Sequence, residues 1–566
     1  MLYQLLGYIR EFFVFFYLRF AFLYSPRVYL WIGISLWLFF LVFSVFFLLK
    51  KKIRLYRHDL YAALAIFILV FLIGILGARF FATPEATPYP VVAACMAGYD
   101  TYEHNQYICS VGMFGDYHEI GYTSLIAFLY MIFGTKFFLM VFVTLLFSAL
   151  GFVFIYFSFR RFFGFLASIG FVVAFMLTRM NLNYLYTTTS KEPFTFFFFS
   201  LFLLLAVSLD LKRKRDYLFY FFMGLCWTML MFVRIQFLIL SICPLILIVL
   251  WNRRFSLKPA LLFLLPIIVL FHYNLYMYIQ KSYLTDSEFL PKVSLMFSEI
   301  LKSVFNSSLI FLFIVISFFI VAFFVKPLKK PYLFVKIFLA LSGLLNLLVI
   351  FLFYGVWQSM YHLYFIFAFC MFIIFALDIW RVLGKRKAVF LLFPFILVFL
   401  NIFFLFSQGH LMQGVGYSEL KTNLYELNEY MSLSKGTQVF FITPNGLYWN
   451  YFYMINSQPD VVYNARPFFL SYELERGMPQ EESVRDCESL VFVGEESHLA
   501  YLMKIMENRP DLEISPEKIN FYFHGFAFEN PGLDENLNRL KALLACNYSY
   551  SYFKLGKVLQ AIKLYR

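Results

Sequence analysis

Four carboxylates lie close together in the segment "GYDTYEHNQYICSVGMFGDYHEIGYTSL": Asp100, Glu103, Asp116 and Glu119. A positioned carboxylate can take a proton from an attacking group. Together with His104, Asp100 and Glu103 also offer the oxygen and imidazole ligands that suit a divalent cation. The alternatives are structural, because a loop acid can simply be solvated, and acids that precede a helix complement its dipole.

A second group of polar residues stands at the ends of apolar runs. Arg234 is flanked by apolar sequence on both sides, so it faces a cavity or a partner, or else it snorkels to the membrane interface. Lys191 and Glu192 are adjacent and could pair with each other. Tyr361 with His362 could likewise be part of an ordinary aromatic belt.

Composition sets the class of protein that must position these residues. Of 566 residues, 62% are hydrophobic, 23% are aromatic and only 14% are charged. Apolar runs of about twenty residues recur, each long enough to cross a bilayer core of about 30 Å as a helix. The sequence predicts a multi-spanning membrane protein without a cleavable signal peptide, in which residues 1–23 form an interfacial helix or a first span.

Basic clusters between the apolar runs predict the orientation. The clusters are "KKKIR", "KRKR", "NRR", "KPLKK", "GKRK" and the pair Arg160 and Arg161. If all face the cytoplasm, the positive-inside rule gives a consistent topology, and the net charge of +14 needs no nucleic-acid partner. The predicted spans are 28–50, 60–82, 137–159, 164–180, 193–209, 217–233, 236–251, 258–275, 306–325, 332–354, 357–378 and 388–407. The Phe-rich run "FTFFFFSLFLLL" is predicted to face lipid.

This topology predicts two outer segments. The first is a loop over about residues 83–136, whose short apolar run "YTSLIAFLYMIF" is typical of an interfacial or re-entrant helix. The second is the tail after the last span, where "TQVFFIT" and "SLVFVG" predict strands and "HLAYLMKIMEN" and "ENLNRLKALLAC" predict amphipathic helices. The fold class is an all-α polytopic membrane domain followed by a small outer-face α/β domain. The predicted domains are 1–59, 60–407 and 408–566.

The seven cysteines divide between outer segments and spans. Two pairs in the outer segments either form disulfides in an oxidising compartment or are small buried residues; they are Cys95 with Cys109 and Cys487 with Cys546. The three in the spans are predicted to be packing residues, and they are Cys226, Cys243 and Cys370.

Several motifs follow one another in an order that is similar to that of a known family. They are "GYDTYEH" in the first outer loop, "GYTSLIAFLYMIFG", "FSFRRFFG", "YTTTSKEPFTFFFFSLFLLLA", "GLCWTMLMFVRIQFLILSICPLIL" and "WQSMYHLYFIFAF". In this order they resemble the GT-C superfamily of integral membrane glycosyltransferases, the group that contains protein O-mannosyltransferases and the lipid A aminoarabinose transferase. The resemblance covers roughly residues 60–410, and the tail matches by position only.

The resemblance implies transfer of a sugar from a polyprenyl-phosphate donor to a glycan, lipid or protein acceptor at the outer face of the plasma (inner) membrane. Asp100 would be the general base of a single displacement with inversion. Glu103 would orient the acceptor or help to hold a divalent cation. The anionic leaving group calls for fixed cations, and the candidates for binding the donor phosphate are Arg234, Lys191, Tyr361, His362 and Arg179. The other candidate site residues are Asp116, Glu119 and Glu192.

Two rival classes stay open. A polysaccharide polymerase or ligase would also use lipid-linked glycans and outer-face arginines, but it is expected to lack the soluble tail. A transporter or flippase is expected to show internal repeats, interrupted helices and polar groups at mid-membrane.

Overall fold

The computed structural model describes residues 26–51, 56–77, 79–80, 93, 96–98, 120–134, 137–178, 181–182, 185–186, 191–208, 217–234, 237–252, 257–280, 330–353, 365–383, 387–407, 415–416, 437–442, 465–468, 489–495, 549–555 and 559–565. The helices are α1 (Pro26–Lys51), α2 (Arg57–Gly77), α3 (Ile120–Phe133), α4 (Phe137–Arg160), α5 (Phe165–Met176), α6 (Glu192–Val207), α7 (Tyr217–Val233), α8 (Phe237–Leu240), α9 (Ile242–Asn252), α10 (Leu257–Gln280), α11 (Lys330–Phe353), α12 (Phe365–Leu383) and α13 (Lys387–Ser407). The strands are β1 (Arg79–Phe80), β2 (Val415–Gly416), β3 (Thr437–Ile442), β4 (Ala465–Phe468), β5 (Ser489–Glu495), β6 (Ser549–Leu555) and β7 (Leu559–Tyr565).

The helices lie where the apolar runs predict membrane spans. Every predicted span contains a helix except 306–325, which lies outside the described residues, as does the N-terminal segment 1–23. Within the described part, 3 apolar segments are long enough to cross a membrane as single helices, and they are Leu30–Phe47, Arg57–Ile75 and Leu139–Arg160. The protein is therefore an integral membrane protein with a helical membrane domain.

Several predicted spans differ from the structure at their ends, and two of them are shorter as helices than the apolar run suggests. The run at 60–82 is not helical throughout, because α2 ends at Gly77 and β1 begins at Arg79. The run at 164–180 contains only the 12 residues of α5. Side chains satisfy one of the carbonyls at its end, because the Thr178 hydroxyl and the Asn181 amide both donate to the Phe175 carbonyl.

Helix α6 lies in the centre of the membrane domain. It packs against α4 and α7, and the prediction that its Phe-rich run faces lipid is wrong, because these rings are buried. Phe196 occupies the space left by Gly151 of α4, while Phe202 lies 4.8 Å from the Trp227 ring of α7. A helix that is apolar on every side can be buried in protein or in lipid, and its sequence does not distinguish the two.

The two ends of the bundle differ in charge. We call the end where α1 and α4 finish and where α2, α11 and α13 begin the basic end, because in the sequence the basic clusters adjoin these helix ends. The other end is called the distal end. Helix α6 runs in the same direction as α4, since Phe194 lies against Phe147 while Phe197 lies further along, against Phe154. Glu192 is therefore at the distal end.

The tail contains a five-stranded mixed sheet in the order β4-β3-β5-β7-β6. Strand β3 pairs in parallel with β4 and β5, whereas β7 pairs antiparallel with β5 and β6. Strands β3 and β5 lie at the predicted segments "TQVFFIT" and "SLVFVG". Parallel strands require crossover connections, usually helices, but the two predicted helices lie outside the described residues.

A short ladder joins the tail to the first large loop. Strand β1, two residues after α2, pairs antiparallel with β2, which follows α13, so that Arg79 is opposite Gly416 and Phe80 is opposite Val415. Since α2 and α13 both begin at the basic end, the loop and the tail leave the bundle on the same side.

The cysteines of the spans are buried, as the sequence predicts. Cys226, Cys243 and Cys370 are free and buried. The two pairs that could form disulfides, Cys95 with Cys109 and Cys487 with Cys546, lie outside the described residues.

Candidate functional site

Glu192 and Arg234 form an ion pair at the distal end, which we call the distal pair. The guanidinium Nη2 of Arg234 donates to Oε1 of Glu192, and each side chain is only 2% exposed. Glu192 is the first residue of α6, and Arg234 directly follows the last residue of α7. The pair therefore joins the ends of two neighbouring helices.

Local sequence explains why both helices end here. Pro193 suits the first turn of α6, where no backbone N–H is needed, and the Glu192 carboxylate complements the helix dipole. After α7 the chain turns tightly, with the Phe237 N–H donating to the Arg234 carbonyl at 3.1 Å. The Trp227 indole N–H closes this hairpin by donating to the Phe237 carbonyl at 3.0 Å and the Ser241 hydroxyl at 2.9 Å.

The distal pair lies well below the distal ends of the long helices. Phe194, two residues from Glu192, stacks on Phe147 of α4 at 4.2 Å between ring centroids. Phe147 is eight residues inside the apolar segment that begins at Leu139, which corresponds to about 12 Å. Two residues of α6 rise about 3 Å, so Glu192 remains inside the apolar layer.

Helix α1 gives the same depth independently. The Trp37 ring lies 6.3 Å from the Phe194 ring and 5.6 Å from the Phe147 ring. Trp37 is seven residues inside the apolar segment that begins at Leu30, or about 10 Å. Two long helices thus agree that the charged pair is at membrane depth.

Non-helical backbone reaches the same depth beside α4. The Ser148 hydroxyl donates to the Leu185 carbonyl at 2.6 Å, and both residues are buried. Leu185 lies between α5 and α6, outside any helix. Irregular backbone at membrane depth is tolerated only where it is buried in protein or lines an aqueous cavity. In the described part of the distal region, helix ends and non-helical backbone therefore lie at membrane depth beside the continuous helices α1 and α4.

The first turn of α3 lies beside the distal pair. A Cβ atom on Gly121 would lie 3.0 Å from the carbonyl oxygen of Phe232, two residues before Arg234. The next residue, Tyr122, has its ring 4.8 Å from that of Phe194. In the sequence, the acidic segment with Asp116 and Glu119 leads directly into this helix.

The remaining predicted site residues divide into two groups. Lys191 is buried and caps the start of α6, where its carbonyl accepts from the Phe194 and Thr195 backbone N–H groups at 3.2 Å. Glu192 contacts Arg234, which the sequence did not predict. The other candidates lie outside the described residues, and they are Asp100, Glu103, Asp116, Glu119, Arg179, Tyr361 and His362. Among the residues that the structure does describe, no cluster of three His, Cys, Asp or Glu side chains could hold a metal ion.

A different ionic cluster at the basic end was not predicted from the sequence. Asp59 of α2 accepts hydrogen bonds from Arg160 Nε and from the Tyr156 hydroxyl of α4, both at 2.7 Å. His58 lies 3.5 Å from Arg160, and its side chain is 54% exposed. One sequence feature could have indicated this cluster: the acid Asp59 stands directly beside a basic cluster at the start of a predicted span.

A second pair at the basic end joins α11 to α12. Lys336 Nζ donates to both carboxylate oxygens of Asp378 at 2.7 and 2.6 Å. The Asp378 side chain is 1% exposed and the Lys336 side chain 17%. We call this pair and the Asp59–Arg160 pair the basic-end pairs.

These features define a polytopic helical membrane protein with a buried ion pair between the start of α6 and the end of α7. No protein-family model and no curated protein matches the chain. The chain is similar to a solved structure titled "Crystal Structure of ArnT from Cupriavidus metallidurans in the apo state", at a TM-score of 0.37 and 13% sequence identity over 89% of this chain and 97% of that chain. A superposition at this score does not pair individual residues of the two chains.

Proposed function

We propose that this protein is a membrane glycosyltransferase of the GT-C type. It moves a sugar from a polyprenyl-phosphate donor to a glycan, lipid or protein acceptor at the outer face of the plasma membrane, which is the distal end. The basic clusters at the opposite end support this orientation through the positive-inside rule. The β1–β2 ladder supports an outer position for the tail, because it places the loop and the tail on one side.

The observation that carries the proposal is the distal pair at membrane depth. A polyprenyl-phosphate sugar has a long apolar chain and a charged phosphate, so its head must meet a fixed cation near the membrane edge. The planar Arg234 guanidinium suits phosphate oxygens, which it can bind through two parallel hydrogen bonds. It is paired with Glu192 at 2% exposure, so donor binding requires the packing around the pair to open. Lys191, next to Glu192, is a second cation for the leaving phosphate.

The acids of the first large loop supply the other half of the reaction. The Asp100 carboxylate takes the proton of the acceptor hydroxyl as the acceptor oxygen bonds to the anomeric carbon. The bond from that carbon to the phosphate oxygen breaks, and the polyprenyl phosphate leaves with the bonding electron pair. One displacement inverts the anomeric centre. Glu103 orients the acceptor, or joins Asp100 and His104 around a divalent cation; Tyr361, His362 and Arg179 are further candidates for the phosphate.

Transfer from a panel of radiolabelled polyprenyl-phosphate sugars tests this proposal. We expect purified protein in lipid to use at least one donor, and a folded Asp100→Asn variant to lose about 10²-fold or more of that rate. Addition of EDTA separates the two roles of Glu103, because only a metal site makes transfer sensitive to it. Full activity of Asp100→Asn would remove Asp100 from the mechanism, and a wild type that uses no donor would exclude the function.

A transporter or flippase for a lipid-linked sugar is the second candidate. It is favoured by the helix ends that meet at membrane depth, since broken helices mark the binding sites of many transporters. The same donors in sealed vesicles distinguish the two. Movement of labelled donor between leaflets without a new glycosidic bond would favour the transporter, and a new bond would favour the transferase.

A further inference from the structure

The first turn of α3 is held in place by contacts from three other helices. Gly121 lies against the Phe232 carbonyl near the end of α7, and Tyr122 lies against Phe194 near the start of α6. The third contact comes from α1, where the Trp37 indole N–H donates to the Gly121 carbonyl at 2.7 Å. Phe232 is two residues from Arg234, and Phe194 is two residues from Glu192. The first turn of α3 therefore lies against the helix ends that carry the distal pair.

The Trp37 hydrogen bond is buried and spans a large separation in sequence. Its ring is fixed on the other side by Phe147 and Phe198 at 5.6 and 5.5 Å. A buried indole N–H needs an acceptor, and the Gly121 carbonyl supplies it. Trp37 and Gly121 therefore work as a unit: the glycine permits the close approach to α7, and the tryptophan fixes it.

We propose that Trp37 and Gly121 are positioning residues for transfer, an inference that rests on the proposed function. They set where the first turn of α3 lies against the helix ends that carry Glu192 and Arg234. That turn is also the point at which the acidic loop of the sequence enters the bundle. Its position sets the packing around Glu192 and Arg234 through Phe194 and Phe232, without either residue touching substrate.

The chain supplies a matched control for each change. Trp37→Phe keeps an aromatic ring and removes the N–H. Trp251→Phe does the same at a buried indole whose N–H has no hydrogen-bond partner in the described part of the chain. Gly121→Ala places a methyl group 3.0 Å from a backbone oxygen, whereas a Cβ atom on Gly164 meets nothing within 4 Å.

The first measurement is steady-state transfer by the four variants in lipid. Small misplacements in a preorganised site reduce the rate of the chemical step strongly. We expect kcat to fall roughly tenfold to a hundredfold in Trp37→Phe and further in Gly121→Ala, with donor KM nearly unchanged. Trp251→Phe and Gly164→Ala are expected to match the wild type.

Hydrogen exchange gives a readout that does not depend on activity. The peptide covering residues 120–133 should exchange several-fold faster in Trp37→Phe than in Trp251→Phe, because the anchored turn opens more often. If Trp37→Phe equals its control in exchange or in kcat while the wild type transfers sugar, this inference is wrong and the proposed function stands. If the wild type transfers no sugar from any donor, the function fails and the inference fails with it.

Discussion

The distal pair and the basic-end pairs use the same chemistry in opposite settings. Glu192 and Arg234 are both 2% exposed and lie at the ends of helices that stop inside the apolar layer. Each basic-end pair has one partly exposed partner, Arg160 at 23% and Lys336 at 17%, and lies toward the cytoplasmic side of the proposed topology. A pair with a partly exposed cation joins two helices at a small desolvation cost, whereas an enclosed pair carries a larger one; we propose that the distal pair is retained for the donor phosphate.

Removing the cation of the distal pair should give the largest effect. Arg234→Ala leaves the Glu192 carboxylate buried, which is expected to cost about 3–5 kcal/mol of unfolding free energy. Transfer should fall about 10²–10³-fold, since a fixed cation at the leaving phosphate is lost. Arg234→Lys retains the charge but not the planar fork, so it should recover stability more fully than rate. Equal recovery of both by lysine would mean that the planar fork is not needed at the phosphate.

The Lys336–Asp378 pair should respond asymmetrically. Lys336→Met leaves a carboxylate that is 1% exposed and is expected to cost about 2–3 kcal/mol. Asp378→Asn should cost less, because the long Lys336 side chain can extend to solvent. Thermal unfolding in detergent measures both, and sugar transfer should stay within about twofold of wild type at temperatures where the variants are folded. If Asp378→Asn lowered the stability more than Lys336→Met, the exposure of the remaining partner would not determine how much stability each change costs.

The smallest effect is expected at Tyr156. Its hydroxyl donates to Asp59 at 2.7 Å, but Arg160 also binds that carboxylate. Tyr156→Phe therefore removes one of several hydrogen bonds and is expected to cost about 1 kcal/mol. The measurement is the shift in melting temperature, with transfer as the control that should not change. If Tyr156→Phe reduced transfer as strongly as Arg234→Ala, the basic-end cluster would not be merely structural, and the proposed difference between the two ends of the bundle would be wrong.

The sequence predicts the helices well because the bilayer restricts the choice of structure. Twenty apolar residues between basic clusters have few alternatives to a helix, and Arg234 at a hairpin tip follows from the same pattern. The sequence pattern does not predict the depth of that tip in the membrane. The depth depends on the position along α4 at which Phe194 packs, and this is set by its contact with Phe147. The partner of Glu192 was also not predictable, since α6 and α7 meet through their tertiary packing.

Trp37 shows the limit most clearly. It lies in an apolar run without charged neighbours, and a tryptophan in such a run is equally typical of packing or of a lipid interface. Its role becomes visible only in the structure, where its indole N–H donates to the carbonyl of Gly121, 84 positions away in the sequence. The position of Asp59 beside a basic cluster, in contrast, indicates an ion pair from the sequence alone. The sequence does not identify Arg160 as its partner.

The β1–β2 ladder also has a consequence for biosynthesis. Arg79 and Phe80 leave the ribosome early, but their partners Val415 and Gly416 follow the last helix of the bundle. Chains are synthesised at about 5–20 residues per second, so these early residues wait for all the intervening helices to be inserted before they can pair. The ladder can form only on a chain whose membrane insertion is complete, and a nascent chain halted before α13 cannot make it.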